Sequence, residues 1–143
     1  MNHPTTITRY LLLGAAFTLS WAGAAQAAPL EIVVEGLEAK GRLMIAAVDR
    51  AEAWDGSGDR LVSLDARVTG SKMSFRFEVP EGPVALRLFH DENGNGKLDR
   101  NLIGIPSEGY GFSNNPGGMG PASFEDAKVV VPAKGARVAI EIR

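Results

Sequence analysis

The sequence predicts an all-β protein, a small antiparallel β-sandwich of about seven short strands with one long ordered loop. Three observations predict this class. Apolar and polar residues alternate with a period of two along several runs, as in strands that bury one face. Clusters of Gly, Pro, Asn and Asp separate these runs at short intervals. No segment carries a sustained apolar stripe of period 3.6, so helices are limited to one turn at 52–54 and the strands must pack on each other.

The first 27 residues are predicted to be a signal peptide and not part of the fold. Arg9 precedes an apolar run from Leu11 to Trp21, and Ala25-Gln26-Ala27 is a small-x-small cleavage site. The run is too short to cross a bilayer, which takes about 20 apolar residues. We therefore expect residues 28–143 to form a single domain, periplasmic or secreted, with no membrane span after signal removal.

Composition excludes several functions. The chain has no Cys, which removes disulfides, thiol catalysis and thiolate metal sites. Acidic residues outnumber basic ones by 17 to 15, and the leader removes only Arg9 of these, so we expect no nucleic-acid partner. His90 is the sole histidine beyond the leader, which excludes a His cluster for zinc. It falls at a strand end, so we interpret it as a structural, hydrogen-bonded histidine. With so few acid–base groups, we do not expect an enzyme.

Each predicted strand is a run whose apolar positions fall on one face or on both. The run 42–48 is apolar on both faces, which suits the middle of a sheet. The run 73–79 should bury its odd-numbered residues, and the run 84–90 should bury Val84, Leu86 and Leu88. Pro80-Glu81-Gly82-Pro83 joins these two runs as a tight connection. The other predicted strands are 31–35, 128–131, 137–142 and the weaker run 61–68.

The segment from Asp91 to Phe124 breaks this pattern. Its part 104–121 contains six Gly and three Pro, and a segment of this length is usually functional or disordered. Disorder would leave seven large apolar side chains in water, so we expect a compact loop that packs on them. They are Leu102, Ile103, Ile105, Tyr110, Phe112, Met119 and Phe124.

The start of this loop carries the ligand pattern of a calcium site. Calcium takes six to eight oxygen ligands, and calcium loops alternate carboxylates or amides with small residues before a sharp turn at Gly. The pattern D-x-N-x-N-G occurs here, followed by a carbonyl position and a further carboxylate. In order, these ligand positions are Asp91, Asn93, Asn95, the Lys97 carbonyl and Asp99, with Gly96 at the turn.

The second half of the calcium pattern is missing. The twelfth position, where a bidentate Glu is expected, is Leu102. A closing carboxylate must therefore come from Glu108, Glu125 or Asp126. A site with two carboxylates and two amides should be weak, with a Kd of about 10⁻⁴–10⁻³ M. The repeated Asn-Gly pair is equally typical of a plain turn with positive φ, so both interpretations stand.

Aromatic residues around the loop also allow two interpretations. Tyr110 and Phe112, followed by Ser113-Asn114-Asn115, could present a stacking and hydrogen-bonding surface to a sugar. Alternatively, the two rings anchor the loop to the sandwich, which we favour. Trp54 in the acidic loop is open to the same two interpretations.

The stretch HDENGNGKLDRNLIGIPSEGYGFSNN, followed by PASFEDAKVVV, resembles the exported bacterial family called domain of unknown function 2141. That family combines a signal peptide, a D-x-N-x-N-G-x-x-D loop and the signature G-I-P-x-E-x-Y-G-F-S-N, matched here from Gly104 to Asn114. The resemblance implies a prealbumin-like or immunoglobulin-like sandwich and brings no activity. It also implies that the loop and the segment of Glu108 form one unit, which makes Glu108 the preferred closing carboxylate.

Three functions follow from these expectations. The first is an exported binding or structural module in which Ca²⁺ orders the long loop and presents a surface to an envelope protein or glycan. The second is a metal-free subunit of an envelope assembly that pairs through its edge strands. The third, least favoured, is a small hydrolase of the transthyretin-like kind. That family relies on several His and Arg residues and a Tyr-Arg-Gly-Ser tail, whereas this chain ends Glu141-Ile142-Arg143.

Overall fold

The computed structural model describes residues 26–118 and 120–143, so all but the last two residues of the predicted signal peptide lie outside the described part. The described residues form eight strands in two sheets and two single-turn helices, which confirms the predicted small all-β sandwich. None of their helices has the length and apolar character needed to span a membrane. In order, the elements are β1 Ala27–Glu35, β2 Arg42–Val48, α1 Ala51–Trp54, β3 Val62–Arg67, β4 Lys72–Pro80, β5 Gly82–Asp91, β6 Tyr110–Phe112, α2 Phe124–Ala127, β7 Lys128–Val131 and β8 Ala136–Glu141.

The two sheets share the strands unequally. One sheet has the order β4-β1-β8, and the other has the order β3-β2-β5-β6. β7 pairs with β5 along 82–85 and β6 pairs with it along 87–89, so the two short strands follow one another along the same edge of β5. The prediction that the sandwich is antiparallel is wrong for one pair of strands, because β8 runs parallel to β1. The reason is topological: β8 returns from the sheet of β7 and joins the sheet of β1 in the same direction.

The core lies between the sheets and is built from alternate residues of facing strands. Leu30 and Ile32 of β1 are fully buried, as are Leu43 of β2 and Leu86 of β5. Each such side chain contributes about 1.5–3 kcal/mol when it is fully buried. The predicted buried faces of 73–79 and 84–90 are confirmed, since Met73, Phe75, Phe77 and Val79 pack on this core together with Val84, Leu86 and Leu88.

The tight connection at 80–83 is a corner between the sheets and not a hairpin. β4 pairs with β1, whereas β5 pairs with β2. Gly82 has a φ of 119°, a conformation that L side chains rarely adopt. The corner sends β5, the ten-residue strand at the centre of the larger sheet, toward the long loop at its far end.

A smaller apolar cluster covers one end of the outer face of the larger sheet. It contains Trp54 of α1, Ala85 of β5 and Phe124 of α2, with Phe112 packed against it. The sequence interpretation missed α2, although its capping box is a local signal. Ser123 accepts a hydrogen bond from the Asp126 backbone N–H, and the Asp126 carboxylate accepts one from the Ser123 N–H.

The prediction that the long loop packs on all its apolar side chains is wrong at its tip. Leu102, Ile103 and Ile105 are 107%, 79% and 45% exposed. The tip is held by polar bonds instead, because the Asn101 carboxamide oxygen accepts the backbone N–H groups of Ile103 and Ile105. Of the remaining four side chains, Phe124 is buried, Tyr110 and Phe112 are half-buried, and Met119 lies outside the described residues.

Candidate functional site

The base of the loop is clamped against the connection between β1 and β2. Gly41 has a φ of 63°, and a Cβ atom there would lie 2.2 Å from the Asp91 carbonyl oxygen. The neighbouring His90 is buried, with its Nε2 2.7 Å from the Lys40 carbonyl oxygen. The Lys40 ammonium bridges Glu38 and Glu92, at 2.7 Å from each, and the hydrogen bond to Glu38 is the first cause of a raised Lys40 pKa. His90 is thus buried and hydrogen-bonded, as its position at a strand end predicts.

Asp91 shapes the loop from below. Its side chain is fully buried, and Oδ1 accepts the backbone N–H groups of Gly94 at 2.8 Å and Asn95 at 3.1 Å. Oδ2 accepts the N–H of Gly96 at 2.7 Å. A carboxylate has about four acceptor positions, so three of them serve the loop backbone. Asp91 acts here as the organising group of a turn.

Glu108 closes the loop by joining its two ends. The side chain is buried, with Oε1 accepting the Glu92 N–H at 2.9 Å and Oε2 accepting the Asp99 N–H at 3.0 Å. The expected closing residue therefore belongs to the same loop unit, but its two oxygens bind backbone N–H groups. The other two candidate closing carboxylates lie in α2. There Asp126 belongs to the capping box, and Glu125 forms an ion pair with Lys128.

Three polar side chains converge on the upper, solvent-exposed side of the loop. Asn93 donates from Nδ2 to Asp99 Oδ2 at 2.5 Å, and Asn95 donates from Nδ2 to both Asp99 oxygens at 2.9 and 3.0 Å. These bonds, those from Asn95 first, lower the pKa of Asp99 below its usual value of 3.8. Lys97 enters this cluster through its backbone N–H, which donates to Asn95 Oδ1 at 2.9 Å.

The structure thus brings together four of the six predicted ligand residues, Asn93, Asn95, Lys97 and Asp99. The other two, Asp91 and Glu108, lie beneath them. Asn95 links the levels, because its backbone N–H bonds Asp91 and its side chain bonds Asp99. Across 26–118 and 120–143, no group of three or more His, Cys, Asp or Glu side chains has a metal-holding arrangement. Any cation here would depend on amide and carbonyl oxygens as much as on carboxylates.

The same loop borders a cavity on the outer face of the larger sheet, which we call the outer groove. Its volume is about 440 Å³. Side chains of β2, β3, β5 and β6 form its floor, among them Met44, Phe89 and Tyr110. Gly96 and Leu98 of the loop line it as well. The sequence interpretation missed this groove, although its signal was visible: β2 is apolar on both faces, and only one face enters the core.

The polar residues that follow β6 serve as anchors. Ser113 is fully buried, and its hydroxyl accepts the Leu86 N–H at 2.8 Å and donates to the Ala127 carbonyl at 2.5 Å. Asn114 donates to the Asp126 carbonyl, and Asn115 donates to Ala139 and accepts from Glu141. These contacts favour anchoring over sugar recognition for 113–115.

The aromatic residues form two groups. Trp54 donates from its indole N–H to the Ala122 carbonyl at 3.0 Å and lies 5.9 Å from the Phe112 ring, which favours an anchoring role. Phe112 and Tyr110 are half-buried and also line the outer groove. The rings therefore hold the loop and leave part of their surface open to a ligand.

Comparison with known protein families gives a match over most of the chain. Residues 32–139 match the model of a family described as an uncharacterized protein conserved in bacteria, domain of unknown function 2141. The matched span contains β1 from its middle, the whole loop and both helices. Neither the curated proteins nor the solved structures contain a significant match to the chain.

Proposed function

The chain belongs to this uncharacterized bacterial family, and from that premise we propose that it is an exported, non-catalytic binding module whose loop 91–109 takes up one calcium ion and holds one wall of the outer groove. One observation carries the proposal. Asn93, Asn95 and Asp99 converge on one point of the loop, and the two residues Gly96 and Leu98 that lie between them in sequence line the groove. A cation at that point would therefore fix the groove wall.

The chemistry of the converging side chains suits a hard cation. Asp99 supplies a carboxylate, which the usual pKa of 3.8 leaves ionised at neutral pH. Each Asn amide now directs its nitrogen to Asp99, and a rotation of about 180° about the Cβ–Cγ bond would direct its oxygen there instead. Calcium would replace the amide hydrogen bonds as the partner of Asp99, while Asp91 continues to hold the backbone turn.

The expected affinity is low. Asp91 and Glu108 already accept five backbone N–H groups between them, which leaves few carboxylate lone pairs for a cation. A Kd of about 10⁻⁴–10⁻³ M, typical of extracellular calcium modules, follows from this small charge. Such a site would be filled outside the cell and empty where free calcium is scarce.

Export is supported by the leader sequence, and cleavage after Ala27 is compatible with the fold. Ala28 is fully buried and pairs with Val79, whereas Ala27 is exposed and pairs with Pro80, the last residue of β4. Cleavage after Ala27 would leave the core pairing of β1 intact. N-terminal sequencing of the protein from the periplasm or medium should begin at Ala28. A mature chain that retains 1–27 would contradict export by this leader.

Calcium titration of the exported protein tests the site. At about 10 mM calcium, 100 times a Kd of 10⁻⁴ M, binding should add about 2.7 kcal/mol and raise the melting temperature by several degrees. The variant Asp99→Asn should abolish most of this rise, because it removes the converging charge. Asp59→Asn, in the other acidic Gly-rich loop, is the matched control and should retain it.

Asp99 is a better target than Asp91, which stabilises the turn with or without a metal. A wild-type protein that shows no shift, or an equal shift in Asp99→Asn, would rule out calcium at this loop. The metal-free alternative would then be favoured, because four of the proposed ligand side chains are already hydrogen-bonded within the loop, those of Asp91, Asn93, Asn95 and Asp99. Its surfaces for a partner would be the edge strands β3, β4 and β8.

A further inference from the structure

We propose that the outer groove binds a small amphipathic anion, a molecule with an apolar body and a single carboxylate head. This inference goes beyond the calcium proposal and does not depend on it. The groove volume of about 440 Å³ lies in the range of small-molecule sites, about 300–1,000 Å³. The groove is lined by apolar side chains such as Met44 and Phe89 and by Arg60 and Arg87, which face each other.

The apolar end would lie on the sheet. Met44 and Phe89 are cross-strand partners on the outer face, and Phe89 is in turn opposite Tyr110. These side chains are only partly buried, so a ligand would cover surface that water now reaches. Leu98 and Pro106 of the long loop continue this apolar surface on one side. Each methylene buried there should contribute about 0.8 kcal/mol, or about fourfold in affinity.

The charged end would lie beside two guanidinium groups, those of Arg60 and Arg87, whereas Arg100 pairs with Pro106 on the loop side of the groove. Arg60, Arg87 and Arg100 line the groove, and its lining contains no Asp or Glu. None of the three forms an ion pair with a carboxylate in the described part of the chain. Unpaired positive charge beside an apolar floor is complementary to an anion with an apolar body.

Arg87 is the centre of this charged end. It donates to the Trp54 carbonyl at 2.8 Å and lies 5.5 Å from the centre of the Trp54 ring, so its direction is fixed. Burial lowers the pKa of Arg87, the positive charge of Arg60 lowers it further, and only Asp55 opposes this. A carboxylate between the two guanidinium groups would relieve their repulsion. Arg is well suited to that contact because it binds carboxylates in a bidentate manner.

The test is calorimetric titration of the exported protein with decanoate, and with decan-1-ol as the neutral molecule of the same chain. EDTA should be present, because calcium precipitates long-chain carboxylates. We expect one decanoate per chain, at least tenfold weaker binding of decan-1-ol, and about fifteenfold weaker binding of octanoate, which lacks two methylenes. Trp54, which contacts two groove residues, should report binding by a change in fluorescence.

Two variants separate the charged end from the apolar floor. Arg60→Gln removes one exposed guanidinium and should weaken decanoate at least tenfold while leaving decan-1-ol unchanged. Arg67→Gln, at the end of β3 and outside the groove, is the matched control and should bind as the wild type does. Ser63→Trp fills the floor from an exposed position and should abolish binding of both molecules.

Several results would overturn the inference. They are equal affinity for decanoate and decan-1-ol, equal effects of Arg60→Gln and Arg67→Gln, or no binding of decanoate at all. A calcium shift with no decanoate binding would leave the loop site standing and remove only the ligand. Decanoate binding without a calcium shift would support the outer groove as a ligand site and rule out the calcium site of the loop.

Discussion

Replacing Asp91 with Ala should destabilise the fold through the loss of three hydrogen bonds. The Asp91 carboxylate is fully buried at the end of β5 and accepts the backbone N–H groups of Gly94, Asn95 and Gly96 at 2.7–3.1 Å. The variant removes all three acceptor contacts at once. Glu108, which accepts the Glu92 and Asp99 backbone N–H groups, remains in place in this variant.

The size of the loss in the free energy of unfolding depends on how exposed the three donor groups are. Hydrogen bonds to a charged group contribute about 1.5–3 kcal/mol each when buried. Here the three donor residues are exposed, so water can replace part of the lost contact. A net loss of about 1 kcal/mol for each bond gives a decrease of roughly 3 kcal/mol in the free energy of unfolding. This is a large fraction of the stability of a small domain.

Urea denaturation in EDTA measures this loss without any contribution from metal. With a slope of about 2 kcal/mol per M, the midpoint of Asp91→Ala should fall by about 1.5 M. Asp91→Asn retains one carbonyl oxygen and should lose less. If Asp91→Ala unfolds within about 0.3 M of the wild type, the turn does not depend on this carboxylate and the account of the loop fails.

Two further predictions concern the frame around the loop. Gly111→Ala should lower the free energy of unfolding by about 1–3 kcal/mol in thermal denaturation, because the new Cβ would lie 2.7 Å from the Glu141 carbonyl oxygen. Gly117→Ala, with no atom within 4 Å of its Cβ, should be neutral, and equal effects of the two variants would contradict this packing. The hydrogen bond from the Ser123 hydroxyl lowers the pKa of Asp126 in the folded state. The ionised Asp126 should therefore stabilise the fold fully above the usual pKa of 3.8, and this stabilisation should be lost as the pH falls through the lowered pKa. Asp126→Asn should reduce the loss of melting temperature between about pH 5 and pH 2, and an unchanged acid profile would show that this cap contributes nothing.

Local patterns predicted most of the strands because each strand has to bury one face. The bounds of β2 and β7 are those expected, and the buried faces of β4 and β5 are correct. The sequence did not predict β6, which has only three residues and pairs with β5. Gly111 shows why: it is needed for the close approach of the Glu141 backbone, a contact between positions 30 residues apart.

The calcium pattern was visible in the sequence, but the role of each residue in it was not. The spacing of Asp91, Asn93, Asn95 and Asp99 predicts which side chains can meet, since a sharp turn brings alternate residues to one side. Only the folded loop decided that Asp91 lies beneath the turn and that Glu108 bridges two backbone N–H groups.

The sequence by itself determined the all-β class, the core faces and the position of the loop that carries the calcium pattern, because these depend on residues close together in the chain. The tertiary structure alone decided the parallel pairing of β8 with β1, the exposure of Leu102 and Ile103, and the outer groove with its three guanidinium groups. Arg60 and Arg87 are far apart in the chain and have no shared motif. Their meeting depends on which strands pair, and pairing between distant strands is settled only when the whole domain is packed.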